Sequence, residues 1–251
     1  MRTLSVTPLH GIGEIQPGDD LAQKFCDALN RECIEPASSD VLVVAQKVVS
    51  KSEGRFVDLD TVQVSDRARA LSTITRKDPR IVELALAESS QVLRAKADVL
   101  IVRHRLGFVM ANAGIDRSNV PGPNRVLLLP KDPDESAGRL KQGIGGLLGK
   151  SPAIIVSDSF GRPWRKGVTN VALGAAGLPA LIDRRGQADR NGRRLEMTEV
   201  AFADLVACAA GLVMGEGSEG IPAAIVRGLN WSAAAQGATS LLRPLSEDLF
   251  Q

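Results

Sequence analysis

The chain has 251 residues, enough to bury a sizeable core as one large domain or two small intertwined ones. Its 31 basic and 29 acidic side chains are well mixed and leave a net charge of +2, which argues against a nucleic-acid-binding or membrane-surface protein. Aromatic residues make up only 3%, with no tyrosine, so the core must rest on Val, Leu, Ile and Ala, and stacking platforms for single-stranded nucleic acid are few.

No stretch approaches the ~20 apolar residues needed to span a bilayer. The start, MRTLSVTPLHG, lacks the apolar run of a signal peptide. Cys26, Cys33 and Cys208 show no metal-ligand spacing and are expected to be reduced. A cytoplasmic location, with no membrane and no nucleic acid among the partners, is the expectation.

Short β-branched runs predict strands over Leu4–Thr7, Val41–Val49, Val99–Arg105, Phe108–Ala111, Val126–Leu129, Ala153–Ser157 and Ala223–Val226. A hairpin is expected to turn at Leu106-Gly107. Helices are expected where a carboxylate or hydroxyl precedes an apolar-periodic run. They lie over Leu21–Leu29, from Ser65-Asp66, from Asp78-Pro79, and over Asp134–Leu148 and Glu199–Val213. Without a clean βαβ rhythm the fold reads as α+β, with a mixed, largely antiparallel sheet and packed helices. No repeat, low-complexity linker or domain boundary stands out, so residues 1–251 are taken as one domain.

Five segments carry candidate chemistry. His10-Gly11-Ile12-Gly13 follows the first strand but matches no standard nucleotide-loop spacing, and a plain turn accounts for it equally. In Gln46-Lys47 to Lys51 the two lysines, four apart in an extended strand, would share one face suited to a polyanion. A solvated strand end is the alternative. Asp116 and Asp158 each follow an apolar strand, and with Ser159 they offer the oxygen ligands that Mg²⁺ or Mn²⁺ takes beside phosphate. Each aspartate could instead serve as a cap. Arg162, Arg165 and Lys166 form the sharpest basic cluster, suited to an anionic substrate or to a surface turn.

The fifth segment, Leu212 to Glu219, sets Gly215, Gly217 and Ser218 among Val213, Met214, Glu216 and Glu219. Glycine lets backbone N–H groups approach an anion, and two acids there call for a bridging cation, with Glu216 as a candidate ligand. His10 and His104 neighbour no serine or cysteine in a nucleophile motif, so a triad hydrolase is not expected.

Together PGDDL at Pro17–Leu21, VSKSEGR at Val49–Arg55, NAGIDRSN at Asn112–Asn119, SDSFGRPWRKG at Ser157–Gly167 and MGEGSEGIPAAIVRGL at Met214–Leu229 resemble the coenzyme F420-0:γ-glutamyl ligase family. The resemblance covers essentially the whole chain. It implies an amide ligase that activates a carboxylate of coenzyme F420-0 with GTP as an acyl phosphate, which the amine of L-glutamate then displaces. It also implies two divalent ions (Mg²⁺ or Mn²⁺), potassium as an activator, and an intertwined homodimer. Metal binding would fall on Asp116, Asp158 and Ser159. Nucleotide contacts would fall on His10–Gly13, Gln46, Lys47, Lys51, Asn119 and the loop Leu212–Glu219. The sequence departs from the family at Gly13, where proline is usual, at Ser159, where threonine is common, and at Gln46-Lys47. A metal-dependent GTP hydrolase or phosphotransferase, or a non-catalytic GTP-binding module, would use the same loops.

Overall fold

The computed structural model describes residues 3–248. In chain order the first elements are β1 (Ser5–Pro8), α1 (Leu21–Arg31), β2 (Val41–Ala45), α2 (Gln46–Ser52) and β3 (Phe56–Asp58). Next come α3 (Asp66–Thr75), α4 (Pro79–Ala87), β4 (Ser89–Lys96), β5 (Val99–His104), β6 (Val109–Ala111) and β7 (Arg125–Leu127). The last are α5 (Pro133–Leu148), β8 (Ala153–Arg162), β9 (Arg165–Ala176), β10 (Leu181–Asp183), β11 (Glu199–Ala201), α6 (Phe202–Met214) and β12 (Ala223–Arg227). The fold is α+β with mixed, mostly antiparallel sheets, as expected. The chain divides into two compact units: residues up to Ile15 with Asp19–Val49 and Asp132–Leu241, and Gln16–Gly18 with Ser50–Lys131 and the segment from Leu242.

In the first unit a five-stranded sheet has the order β1-β12-β2-β8-β9. β2 and β8 form a parallel pair, and every other neighbouring pair in this sheet is antiparallel. Continuous apolar runs such as Val41–Val44 arise because both faces of the sheet are covered. Leu42, Val44, Ile154, Val156 and Ile225 pack in one core with Phe25 and Leu29 of α1 and Leu140 and Ile144 of α5. Val41, Val43, Ile155, Ala224 and Val226 pack in a second core with Ala203, Val206, Ala207 and Ala210 of α6. Each such aliphatic side chain contributes roughly 1.5–3 kcal/mol by leaving water.

Asp134 ties α5 to this sheet: its carboxylate accepts from the backbone N–H of Ala175 (2.8 Å) and Ala238 (2.7 Å) and from Thr239 Oγ1 (3.1 Å). The close approach depends on Gly174, where a Cβ would collide with the Pro133 carbonyl. Neither partner is a flexible side chain that can step aside. Gly174→Ala is therefore expected to cost about 2–3 kcal/mol and to lower the melting temperature by roughly 5–10 °C. A melt within about 2 °C of the parent would show slack between α5 and β9.

The structure corrects three expectations. The strand expected over Val41–Val49 stops at Ala45, and Gln46–Ser52 is helical. Val48 and Val49 are buried in the α1/α5 core, and this tertiary packing overrides their β propensity. The strand expected over Ala153–Ser157 runs on to Arg162 because β9 pairs with it as far as Arg162 opposite Arg165. Asp158 and Ser159 thus lie within a hairpin strand and not in a loop. Glu199–Ala201, expected to open the last helix, pairs instead with β10.

In the second unit α3, α4 and the sheet β4-β5-β6 enclose a small core of Ala68, Val82, Ala85, Leu100, Val102 and Ala113. The hairpin turns at Leu106-Gly107 as expected, with Gly107 at φ +92° and its N–H donating to the His104 carbonyl (2.8 Å). β3 pairs with β7 alongside. Glu88, at the end of α4, accepts from Arg55 Nη2 (3.2 Å) and Arg105 Nε (3.1 Å). The buried His104 Nε2 makes a longer contact of 3.4 Å with the same carboxylate.

The His104 contact first, then the Arg55 and Arg105 charges, hold the Glu88 carboxyl down at about 2, against burial, which opposes them. A depressed folded-state value contributes stability that is present above the unfolded value of about 4.5 and lost as pH falls towards 2. The contribution is on the order of 2–3 kcal/mol. Glu88→Gln should therefore flatten the acid limb of a stability–pH curve between those values. An unchanged slope would refute the linkage.

Candidate active site

The pairing registers of the first unit place its candidate segments at one level of one sheet edge. The Leu9 N–H donates to the Ala223 carbonyl (2.9 Å), Ala223 lies opposite Val44, and Val44 lies opposite Val156. One residue further the Ala45 N–H donates to the Pro222 carbonyl (2.8 Å), and Ala45 lies opposite Ser157. The next residues along are His10, Gln46 and Asp158, and Ile221 at the end of the loop that follows α6. With neighbouring strands about 4.8 Å apart, these four segments leave the sheet within roughly 15 Å of one another. β1, β2 and β8 run in the same direction, so this is the carboxyl edge, where open sheets with parallel strands collect ligands.

The first loop is braced from behind. Arg31, at the end of α1, donates from Nη1 to the carbonyls of His10 (3.1 Å) and Gly11 (2.9 Å). Gly11 has φ +68°, and a side chain there would collide with the Arg31 guanidinium. Ile12 is buried in the α1/α5 core, so it can offer a ligand only its backbone. Arg31 gives no signal in the sequence because its partners lie 20 and 21 residues away.

Leu212, Val213 and Met214 form the last turn of α6, and the loop proper starts at Gly215, with φ +75°. Glu216, Gly217, Ser218 and Glu219 are exposed. The Glu219 carboxylate folds back and accepts from the Gly217 N–H at 2.8 Å. That N–H is thus already aimed at an anionic oxygen, the contact a phosphate would make after displacing Glu219.

Asp158 and Ser159 are half-buried, opposite Val171 and Asn170. Alternation along the strand sends their side chains to opposite faces, so a single ion cannot take both side chains from one face. Arg162, Arg165 and Lys166 lie around the exposed tip of the β8–β9 hairpin with Trp164, which has φ +63° and is 88% exposed.

Lys47 and Lys51 lie on α2, where a spacing of four again shares one face, although by helical and not extended geometry. The main segment of the second unit starts at Ser50, within this helix, and holds Lys51, Asp116 and Asn119. Lys51 is buried, at 5% exposure. The helix ends in a glycine-stopped turn: the Gly54 N–H donates to the Lys51 carbonyl (3.0 Å) and the Arg55 N–H to that of Ser50 (2.9 Å), with Gly54 at φ +65°. β3 follows at once, with Phe56 opposite Leu127. Leu127 is in turn locked to Asp116 by two backbone hydrogen bonds of 2.9 and 3.0 Å. Phe56, which follows the Lys51 turn, and Asp116 are therefore two strand spacings apart, about 10 Å.

Asp116 Oδ1 accepts from the N–H and Oγ of Ser118 (2.7 and 2.8 Å), and exposed Asn119 follows at φ +54°. Upstream, Asn112, Ala113 and Gly114 all have positive φ, a left-handed turn rare outside functional sites.

Among the described residues no three or more His, Cys, Asp or Glu side chains gather as a closed metal cage. The donors present are carboxylates and hydroxyls, the hard oxygens that suit Mg²⁺ or Mn²⁺. They fit an ion that keeps waters and binds largely through substrate phosphates.

A family model described as F420-0:Gamma-glutamyl ligase matches residues 11–228 of the chain. A Methanopyrus kandleri protein named coenzyme F420:L-glutamate ligase is 44% identical, with 99% of this chain and 98% of that one covered. Proteins of the same name from Methanothermobacter thermautotrophicus and Natronomonas pharaonis are 41% and 46% identical, covering 99% and 95% of this chain and 99% and 90% of their own.

Proposed function

The chain belongs to the F420-0:gamma-glutamyl ligase family, and on that premise we propose that it joins L-glutamate to coenzyme F420-0 at the expense of GTP. The observation that supports this best is the common level at which His10, Gln46, Asp158 and the loop after α6 leave one sheet edge.

A carboxylate is a poor electrophile, so amide formation needs an activated acyl group. A carboxylate oxygen of coenzyme F420-0 attacks the γ-phosphorus of GTP, and the bond to the β-phosphate oxygen breaks to release GDP. The glutamate amine then attacks the acyl carbon, the C–N bond forms, phosphate departs with its electron pair and the amine proton passes to solvent. Such transfers depend on positioning and charge neutralisation more than on a covalent catalyst.

The backbone of His10–Gly13 and of Gly215–Glu219 cradles the nucleotide with Gln46 and Asn119, while Lys47 and Lys51 neutralise its phosphates. Asp116, Asp158, Ser159 and Glu216 would hold the divalent ions, which when bound offset the developing phosphoryl charge, with potassium as an activator. Arg162, Arg165 and Lys166 hold the anionic precursor. A homodimer is the proposed assembly. It is supported by apolar side chains left in solvent: Leu205 and Leu212 on α6, Trp164 and Val168 on the hairpin.

Incubation with coenzyme F420-0, GTP, Mn²⁺ and L-glutamate, followed by mass spectrometry, tests the proposal. A glutamylated product is expected, and its absence with folded protein would reject the assignment.

A further inference from the structure

Lys51 is buried near the end of a seven-residue helix, and side chains outside the helix brace the turn that ends it. Four side chains help to tie down the turn after Lys51. Glu53 Oε2 accepts from the Lys131 N–H (3.2 Å). Arg55 Nε donates to the Leu129 carbonyl (2.8 Å), and its Nη2 donates to Glu88 (3.2 Å). Arg105 grips Glu88 through Nε (3.1 Å) and the Lys131 carbonyl through Nη1 (3.1 Å). Glu88 is the one side chain among these that bridges both arginines, and its side chain is only 15% exposed.

We propose that Glu88 is a positioning residue for nucleotide binding: through Arg55 it holds the turn at Gly54, and so sets Lys51 towards the phosphates. The inference rests on the role given to Lys51 above. Its physical basis is the directness of the chain. Arg55 donates its own N–H to the Ser50 carbonyl, so a shift of Arg55 moves the last turn of α2. Arg55 also accepts the Leu128 N–H at its carbonyl (3.0 Å), which couples the same shift to the end of β7, where Leu127 pairs with Asp116. A charge-assisted network of this kind is directional, unlike an apolar plug. Without the carboxylate, two neighbouring guanidinium groups repel and the turn is released.

The test uses the full chain with Mn²⁺ and a non-hydrolysable GTP analogue, with binding measured by calorimetry and folding by thermal melts. Glu88→Gln is expected to raise the dissociation constant roughly tenfold, and Arg55→Lys, which keeps the charge but loses the two-point grip, should do likewise. In a Lys51→Met background Glu88→Gln should add little, because both changes act on the same contact. A lower melting temperature with unchanged analogue affinity in Glu88→Gln and Arg55→Lys, while Lys51→Met weakens binding, would overturn the proposal and leave Glu88 a stabilising residue only. Unchanged affinity in Lys51→Met itself would overturn it from the other side, by removing the role of Lys51. Should Glu88→Gln fail to fold, Arg55→Lys alone and combined with Lys51→Met decides between the same outcomes.

Discussion

Replacing Asp158 by asparagine is expected to lower ligation by about a hundredfold or more, while the melting temperature stays within a few degrees of the parent. The two halves of this expectation have separate causes. Asp158 sits one residue beyond Ser157, which is 2% exposed, so the side chain lies past the buried stretch of β8. Its backbone pairs with Val171, and the near-isosteric amide leaves that pairing intact. Stability should therefore change by no more than about 1 kcal/mol. The charge, in contrast, is what a hard cation requires, and a neutral amide is a far weaker ligand. Turnover followed across a Mn²⁺ titration, alongside a thermal melt, separates the effects. Parental metal-dependent activity in Asp158→Asn would remove this residue from the metal site.

What the sequence could reveal depended on whether a residue's partners lie near it in the chain. Apolar runs located β2 and β12, which are buried on both faces, and β5, where buried and half-buried residues alternate. Capping residues located three helix starts, and the side chains of Asp20, Ser65 and Asp78 do accept from the first turns, while α5, expected from Asp134, starts at Pro133 behind a cap at Asp132. β9 was missed because Arg165–Ala176 mixes Lys, Gly, Thr and Asn with small alanines and carries neither a period of two nor bulk. It exists as a strand because β8 supplies the pairing. α2 was misassigned for the opposite reason: its valines favour a strand locally, while the α1/α5 core accepts them on a helix.

The candidate site divides in the same way. Gly11, Gly215 and Gly54 were visible as glycines, but the reasons they are required, Arg31 behind one, Glu219 against another and a helix stop at the third, are tertiary or backbone facts. Glu88 gave no signal at all. Its partners Arg55 and Arg105 lie 33 and 17 residues away, and an acid at the end of a helix is usually only a solvated one.

The reaction type makes the sharpest demand on the protein. If the chain is a ligase, phosphate release from GTP should be slow until the precursor is present and should then match glutamylated product one for one. In the proposed reading the loops at the carboxyl edge supply backbone donors, a lysine and carboxylates for a nucleotide and its ions. The proposed reaction gives neither His10 nor His104 the task of activating water. A carboxylate needs no base, since it is already the nucleophile, and it attacks only when bound in line with the γ-phosphorus. Precursor should therefore accelerate GTP turnover by about a hundredfold or more, a modest share of the effective molarities reached by oriented reactants. With precursor but without glutamate, phosphate should appear only at the rate at which water hydrolyses the acyl phosphate. Hydroxylamine, a better nucleophile than water, should then trap the acyl group as a hydroxamate visible by mass spectrometry. Brisk GTP hydrolysis without precursor, with no mass gained when glutamate is supplied, would instead establish a GTP hydrolase built on the same loops.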